Sequence, residues 1–166
     1  MKRTGGYMKI TILCVGKIKE SFYREAVGEY VKRLGRYCSL EILEVADEKT
    51  PDGASATQED QIKEKEADRI LSKMPEGAYV YTLEIQGKRY TSELFADAIH
   101  KVGLGGRSHI VFVVGGSLGL HEKVLRRSDQ AVSFSDMTFP HQLMRVILCE
   151  QIYRAYRILH GQPYHK

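Results

Sequence analysis

The chain has 166 residues, 43% of them hydrophobic and 28% charged, enough for one real core and too few for two. No stretch is low in complexity, and no apolar run approaches the ~18 residues of a membrane span, so a disordered chain and a membrane partner are both set aside. The net charge of +4 is unevenly spread: residues 1–40 hold nine Lys/Arg against three acids, 41–75 hold five against ten, and 145–166 hold four against one. Basic ends around an acidic middle allow one face to grip a polyanion, although an unevenly charged solvated surface reads the same way.

The first seven residues lack the apolar segment of a secretory signal, and a second Met-Lys pair at Met8 and Lys9 opens the first apolar run. Residues 1–7 are therefore read as an extension or cloning remnant with no role, and 8–166 as a single domain. From there, residues 8–15 form a buried strand that ends at Gly16. Residues 20–37 carry helical spacing through Phe22, Ala26, Tyr30 and Leu34. Residues 40–45 alternate as a strand, and 47–55 (DEKTPDGAS) are a loop by their Pro, Gly and Asp content. A charged helix over 57–74 is stopped by Pro75 and Gly77, and 78–85 follow as a strand. Residues 92–102 form a helix closed by the glycine-rich turn 103–106, which precedes a strand and so is no dinucleotide fingerprint. The chain ends with a fully apolar strand (109–114), a short helix (122–127), a short strand (131–134) and a long helix (140–160) with Pro140 as its first residue.

Strands alternating with helices, the best of them apolar on both faces, predict an α/β fold: a mostly parallel sheet covered on both sides by helices. Ligands of such sheets gather at the carboxyl ends of the strands. That directs attention to the loops after Ile85, Val114 and Phe134. Cys14, Cys38 and Cys149 are widely spaced with no CxxC pair, which fits reduced thiols in a cytosol and argues against a metal site or disulfide framework; Cys14 and Cys149 read as core residues.

The loop after the apolar strand reads Gly115-Gly116-Ser117-Leu118-Gly119. Its glycines permit close approach of a ligand to backbone, yet it also matches the G-x-S-x-G elbow of serine hydrolases. Asp136 and His141 follow Ser117 in the chain order a triad needs, but they stand only five positions apart and the chain is short for that fold. A tight turn without a ligand is the third reading. The loop at 134–141 is apolar through Phe134, Met137 and Phe139 and must pack on core, partner or a flat ligand. In the last helix, Met144, Leu148, Ile152, Ala155 and Leu159 form one apolar stripe, and Val146, Cys149, Tyr153 and Tyr156 form a second. Only Glu150, Arg154 and Arg157 make a polar edge. Such a helix needs burial on two sides, so its own sheet and a second copy of the chain are the expected neighbours. Arg145 lies between the stripes and must find an ion pair or an anionic ligand. The tail 162–166 is either a frayed terminus or, through Tyr164 and His165, a source of stacking and proton-transfer groups.

Taken together, VVGGSLGL (113–120), FSDMTFPHQLMRVILCEQIYRAYRI (134–158), GQPYHK (161–166) and TLEIQGK (82–88) resemble the ribosomal RNA large subunit methyltransferase H family of the SPOUT superfamily, over nearly all of 8–166. The resemblance implies a C-terminal trefoil knot, a cytoplasmic homodimer, and transfer of a methyl group from S-adenosylmethionine to N3 of a pseudouridine. The target would lie in helix 69 of 23S ribosomal RNA, within assembled 70S ribosomes. Carried over residue by residue, it assigns cofactor binding to Leu83, Gly115, Phe134, Ser135, Asp136, Met137, Thr138 and Phe139. No metal is required. For catalysis, Arg145 or Arg154 is expected to supply a stabilising field, and Tyr164 or His165 to hold the base or move its proton. A serine hydrolase using Ser117 and a noncatalytic ribosome-associated RNA-binding protein are the competing readings.

Overall fold

A computed structural model describes residues 7–166, so the expectation for the N-terminal extension lies, Tyr7 apart, outside the described residues. The chain runs β1 (Lys9–Val15), α1 (Ser21–Leu34), β2 (Ser39–Val45), α2 (Ala56–Lys73) and β3 (Tyr79–Arg89). It continues through α3 (Ser92–Leu104), β4 (His109–Val114), α4 (Glu122–Arg127), β5 (Gln130–Ser133) and α5 (His141–Leu159). The strands form one sheet in the order β2-β1-β4-β3-β5, and every pairing is parallel. The α/β expectation therefore holds.

Position in the sheet follows composition. β1 and β4 are the most apolar strands and lie at its centre, with Ile10, Ile12, Ile110 and Phe112 fully buried. Alternate residues feed two cores. One face packs on α1, α3 and α5 through residues such as Ile12, Phe112, Leu148 and Ile152. The other packs on α2 and α4 through Leu13, Val113, Ile70 and Val124. α2 starts in a capping box, Ser55 accepting from the Gln58 backbone while the Gln58 side chain accepts from the Ser55 backbone. The charge division acquires a geometry: basic α1 lies against α5 on one face of the sheet, and acidic α2 lies on the other.

Two features depart from the sequence reading. β3 runs on to Arg89 instead of stopping at Ile85, and its register with β5 breaks midway, so that Val132 pairs with both Leu83 and Lys88. The chain between those two positions bows around β5, and Gly87 sits so close that a Cβ there would lie 2.6 Å from the Val132 nitrogen. The second departure concerns α5. It settles over the sheet between α1 and α3, so Cys149 and Tyr156 of the second apolar stripe are already buried within the chain. Val146 and Tyr153 of the same stripe stay partly exposed, so burial within the chain covers part of the stripe. Pro140 also stands one position before α5, as its cap, and not as its first residue.

Candidate active site

The carboxyl ends of the late strands open into one cleft of about 460 Å³. Its walls are the irregular middle of β3 (residues 83–86), the turn after β4 (114–120), the segment after β5, and His141 and Met144 from the first turn of α5. Leu83, Gly115, Phe134, Ser135, Met137, Thr138 and Phe139 all face it. Asp136 does not: its carboxylate pairs with Arg89 at the surface. The three loops singled out by their place after strands thus meet in one site.

Local geometry shapes the cleft wall. A Cβ on Gly115 would come within 3.0 Å of the Leu120 side chain and 3.1 Å of the Gly119 backbone, so the bare backbone here lets the turn after β4 fold back on itself beside the cleft. Gly116 backs onto Val15 and the buried Glu66, whose carboxylate accepts from the Glu48 backbone at 3.0 Å. Burial raises the Glu66 carboxyl above the usual carboxylate range.

Two titratable side chains line the cleft without a protein partner among the described residues. Glu84 is half-buried, with its carboxyl pushed up by burial against the opposing pull of Lys63. His141 is pushed below the usual histidine value by burial, then by Arg145 and Lys19, with Asp47 opposing. The imidazole is neutral at pH 7, and no Lys or Arg lines the cleft among the described residues.

The four residues expected to carry catalysis divide. Arg145 is wholly buried: Nη1 donates to Glu44 at 2.7 Å, and Nη2 donates to the carbonyl oxygens of Gly16 at 2.7 Å and Val15 at 3.2 Å. Of the two fates open to it, the ion pair is the one observed, and it lies within the chain. The other three come together. Arg154 Nη2 donates to Glu150 at 2.6 Å, the Tyr164 hydroxyl donates to the same carboxylate oxygen at 3.1 Å, and Arg154 Nη1 lies 3.1 Å from His165 Nδ1. The Arg154 guanidinium also stacks on the Tyr164 ring, 4.7 Å from its centroid. Burial, then the bond to Glu150, pushes the Tyr164 hydroxyl up to about 12, so at neutral pH it is a hydrogen donor. The tail is thus pinned to α5, with His165 Nε2 2.6 Å from Glu93 of α3. None of these three lines the cleft of its own chain.

Glu150, the hub of that cluster, escaped the sequence reading except as part of a polar edge. Its i, i+4 spacing to Arg154 was the available signal. Glu84 also escaped, because nothing in the sequence marks its burial, and His141, read there only as a triad candidate beside Ser117, stands instead on the wall of the cleft. Ser117 is exposed, makes no hydrogen bond to a histidine among the described residues, and lacks the positive φ of a strained elbow. The sequence showed no ligand cluster, yet Asp60, Glu64 and His121 bring ligand atoms within 4.8 Å of one another on the α2–α4 face. Lys123 Nζ already occupies that group, 2.6 Å from Glu64.

Against known proteins, a family model described as "Predicted SPOUT methyltransferase" matches residues 8–165. The chain belongs to the ribosomal RNA large subunit methyltransferase H family of SPOUT methyltransferases. A relative of that name from Bifidobacterium adolescentis is 59% identical over 96% of this chain and all of its own length. Relatives from Clostridium botulinum and Clostridium beijerinckii are 57% and 54% identical over the same shares. A methyltransferase has no use for a serine nucleophile, so the hydrolase reading of Ser117 falls. No helix among the described residues is long and apolar enough to cross a membrane.

Proposed function

We propose that the protein transfers the methyl group of S-adenosylmethionine to N3 of a pseudouridine in helix 69 of 23S ribosomal RNA, in assembled 70S ribosomes of the cytoplasm. The observation that carries the reading is the single cleft at the ends of β3, β4 and β5, which gathers seven of the eight residues assigned to the cofactor. The relatives' names supply ribosomal RNA as the substrate class. At about 460 Å³ the cleft suits a nucleoside-sized ligand. Its apolar walls at Leu83, Phe134 and Phe139 fit the faces of an adenine ring, and the exposed backbone of 134–139 fits its polar edge.

When bound, the cofactor supplies a methyl carbon activated by an adjacent sulfonium. The chain's own work is positioning, which brings the nucleophilic nitrogen onto the methyl axis. The imide nitrogen of the target base would have to give up its proton, so the chain must also offer a group to take it. Arg154 offers a positive field for the developing anion, and Tyr164 or His165 holds the base or moves its proton, His165 by exchanging its contact with Glu93 for the substrate. Because these groups stand off the cleft of their own chain, the reading includes a homodimer in which the tail of one copy completes the cleft of the other. It also includes the C-terminal trefoil knot that goes with the family.

The test is methyl transfer from labelled cofactor to 70S ribosomes from cells lacking the gene, with mass spectrometry of the 23S RNA. Label at one helix 69 pseudouridine is expected. Label elsewhere would overturn the site, and no label on any ribosomal particle would overturn the activity. Alanine in place of Tyr164 or His165 should cut turnover by about 10²-fold or more, and unchanged turnover removes the tail from the mechanism.

A further inference from the structure

We infer that Glu84 is the residue that reads the charge of the methyl donor, its carboxylate set against the sulfonium centre so that the cleft holds the charged donor more tightly than the spent, neutral thioether. The inference rests on the cofactor reading above and adds a specificity residue to it.

The observations are electrostatic and geometric. The chain carries a net charge of +4, yet the cleft has no Lys or Arg on its walls among the described residues. His141 contributes no charge at neutral pH. Glu84 is therefore the one formally charged group lining the cleft, and it projects from the irregular stretch of β3 beside Leu83. The carboxylate makes no hydrogen bond or ion pair among the described residues, although partly withdrawn from water. Partial burial disfavours the charged form of Glu84, and a cation bound in the cleft offsets that cost. A cation is the compensating chemistry, and the donor's sulfonium is a cation that vanishes on transfer, because the electron pair of the broken carbon–sulfur bond stays on sulfur. Loss of that charge leaves Glu84 unpaired again, which favours release of the product.

Titration calorimetry of the full-length protein and its Glu84→Gln variant tests this with three ligands: S-adenosylmethionine, S-adenosylhomocysteine, and sinefungin, which carries an ammonium group in place of the sulfonium. In the variant, affinity for S-adenosylmethionine and sinefungin should fall about tenfold, while S-adenosylhomocysteine changes less than twofold. Equal loss for all three would place Glu84 at the α-ammonium group they share and overturn the inference, as would no change in any. Failure of the unsubstituted protein to bind S-adenosylmethionine would instead sink the cofactor reading itself. A structural role is read separately: the ligand-free variant should melt no lower than the parent, and a lower melting temperature would contradict the unpartnered carboxylate.

Discussion

Arg145 shows what a residue's surroundings decide. Its place between two apolar stripes is readable from α5, but its partner Glu44 lies 101 positions away and only the fold brings them together. The buried guanidinium ties the end of β1 to β2 and to the first turn of α5, the turn that also carries His141 into the cleft. Replacing it leaves Glu44 with the Ile18 backbone N–H but no countercharge, and removes the donor from two carbonyl oxygens. Glu44 keeps some contact with water, so the cost of Arg145→Gln should be about 2–3 kcal/mol, below that of breaking a fully buried pair. Urea unfolding measures it. The same variant should raise the titration midpoint of His141 followed by NMR, because a nearby cation is removed while Asp47 remains. The sign for stability follows: the folded value lies below the unfolded one, so the neutral ring's contribution is intact above pH 6.5 and is lost as pH falls through the folded midpoint. An unchanged midpoint would mean that Arg145 does not act on His141.

At the level of elements, the sequence announced nearly every helix and strand, because burial on one or two faces imposes a period on side chains. β4 and α4 fall on their expected bounds, and the others shift by a few residues. What periodicity could not show is which strands neighbour each other, or that β3 continues past its break to flank β5 twice. Those depend on contacts far apart in sequence. The segments that line the cleft were legible through glycines at strand ends and an apolar loop that had to pack on something, whereas Glu84, and a place for His141 beside it, became visible only once three loops met. Gly87 records the tightest of these approaches. Gly87→Ala would drive a methyl group into the Val132 backbone and should cost about 1–3 kcal/mol. Gly28, in the middle of α1 with open space around it, is the control, and Gly28→Ala should stabilise by about 0.5–1 kcal/mol. Thermal unfolding of the pair should give opposite signs. Tolerance of alanine at Gly87 would contradict the close threading of β3 around β5.

For the whole molecule, the fold turns a charge pattern along the chain into a difference between faces. Lys32 and Arg33 in the last turn of α1, with Arg36 just beyond it, lie on the side shared with α5, where Arg33 stacks between Tyr30 and Tyr153. That face suits phosphates and unpaired bases, and the α2 face, rich in acids, does not. Ribosome binding should therefore weaken steeply with salt, and neutralising Lys32 and Arg36 together should flatten the slope of log affinity against log salt by roughly one to two units. A salt-independent affinity would remove this face from the RNA contact. With both apolar stripes of α5 partly covered by its own chain, the expected homodimer rests on the family and on the distance of the tail from its own cleft. Sedimentation should give twice the chain mass of 18.9 kDa.

A crystal structure of the protein with S-adenosylmethionine examines the central claim most directly. The account predicts the adenosine between Leu83, Gly115 and the 134–139 segment, with the methyl group directed toward the tail of a second copy. A nucleoside bound at any other edge of the sheet, or held by a single chain whose cleft needs no second copy, would contradict it.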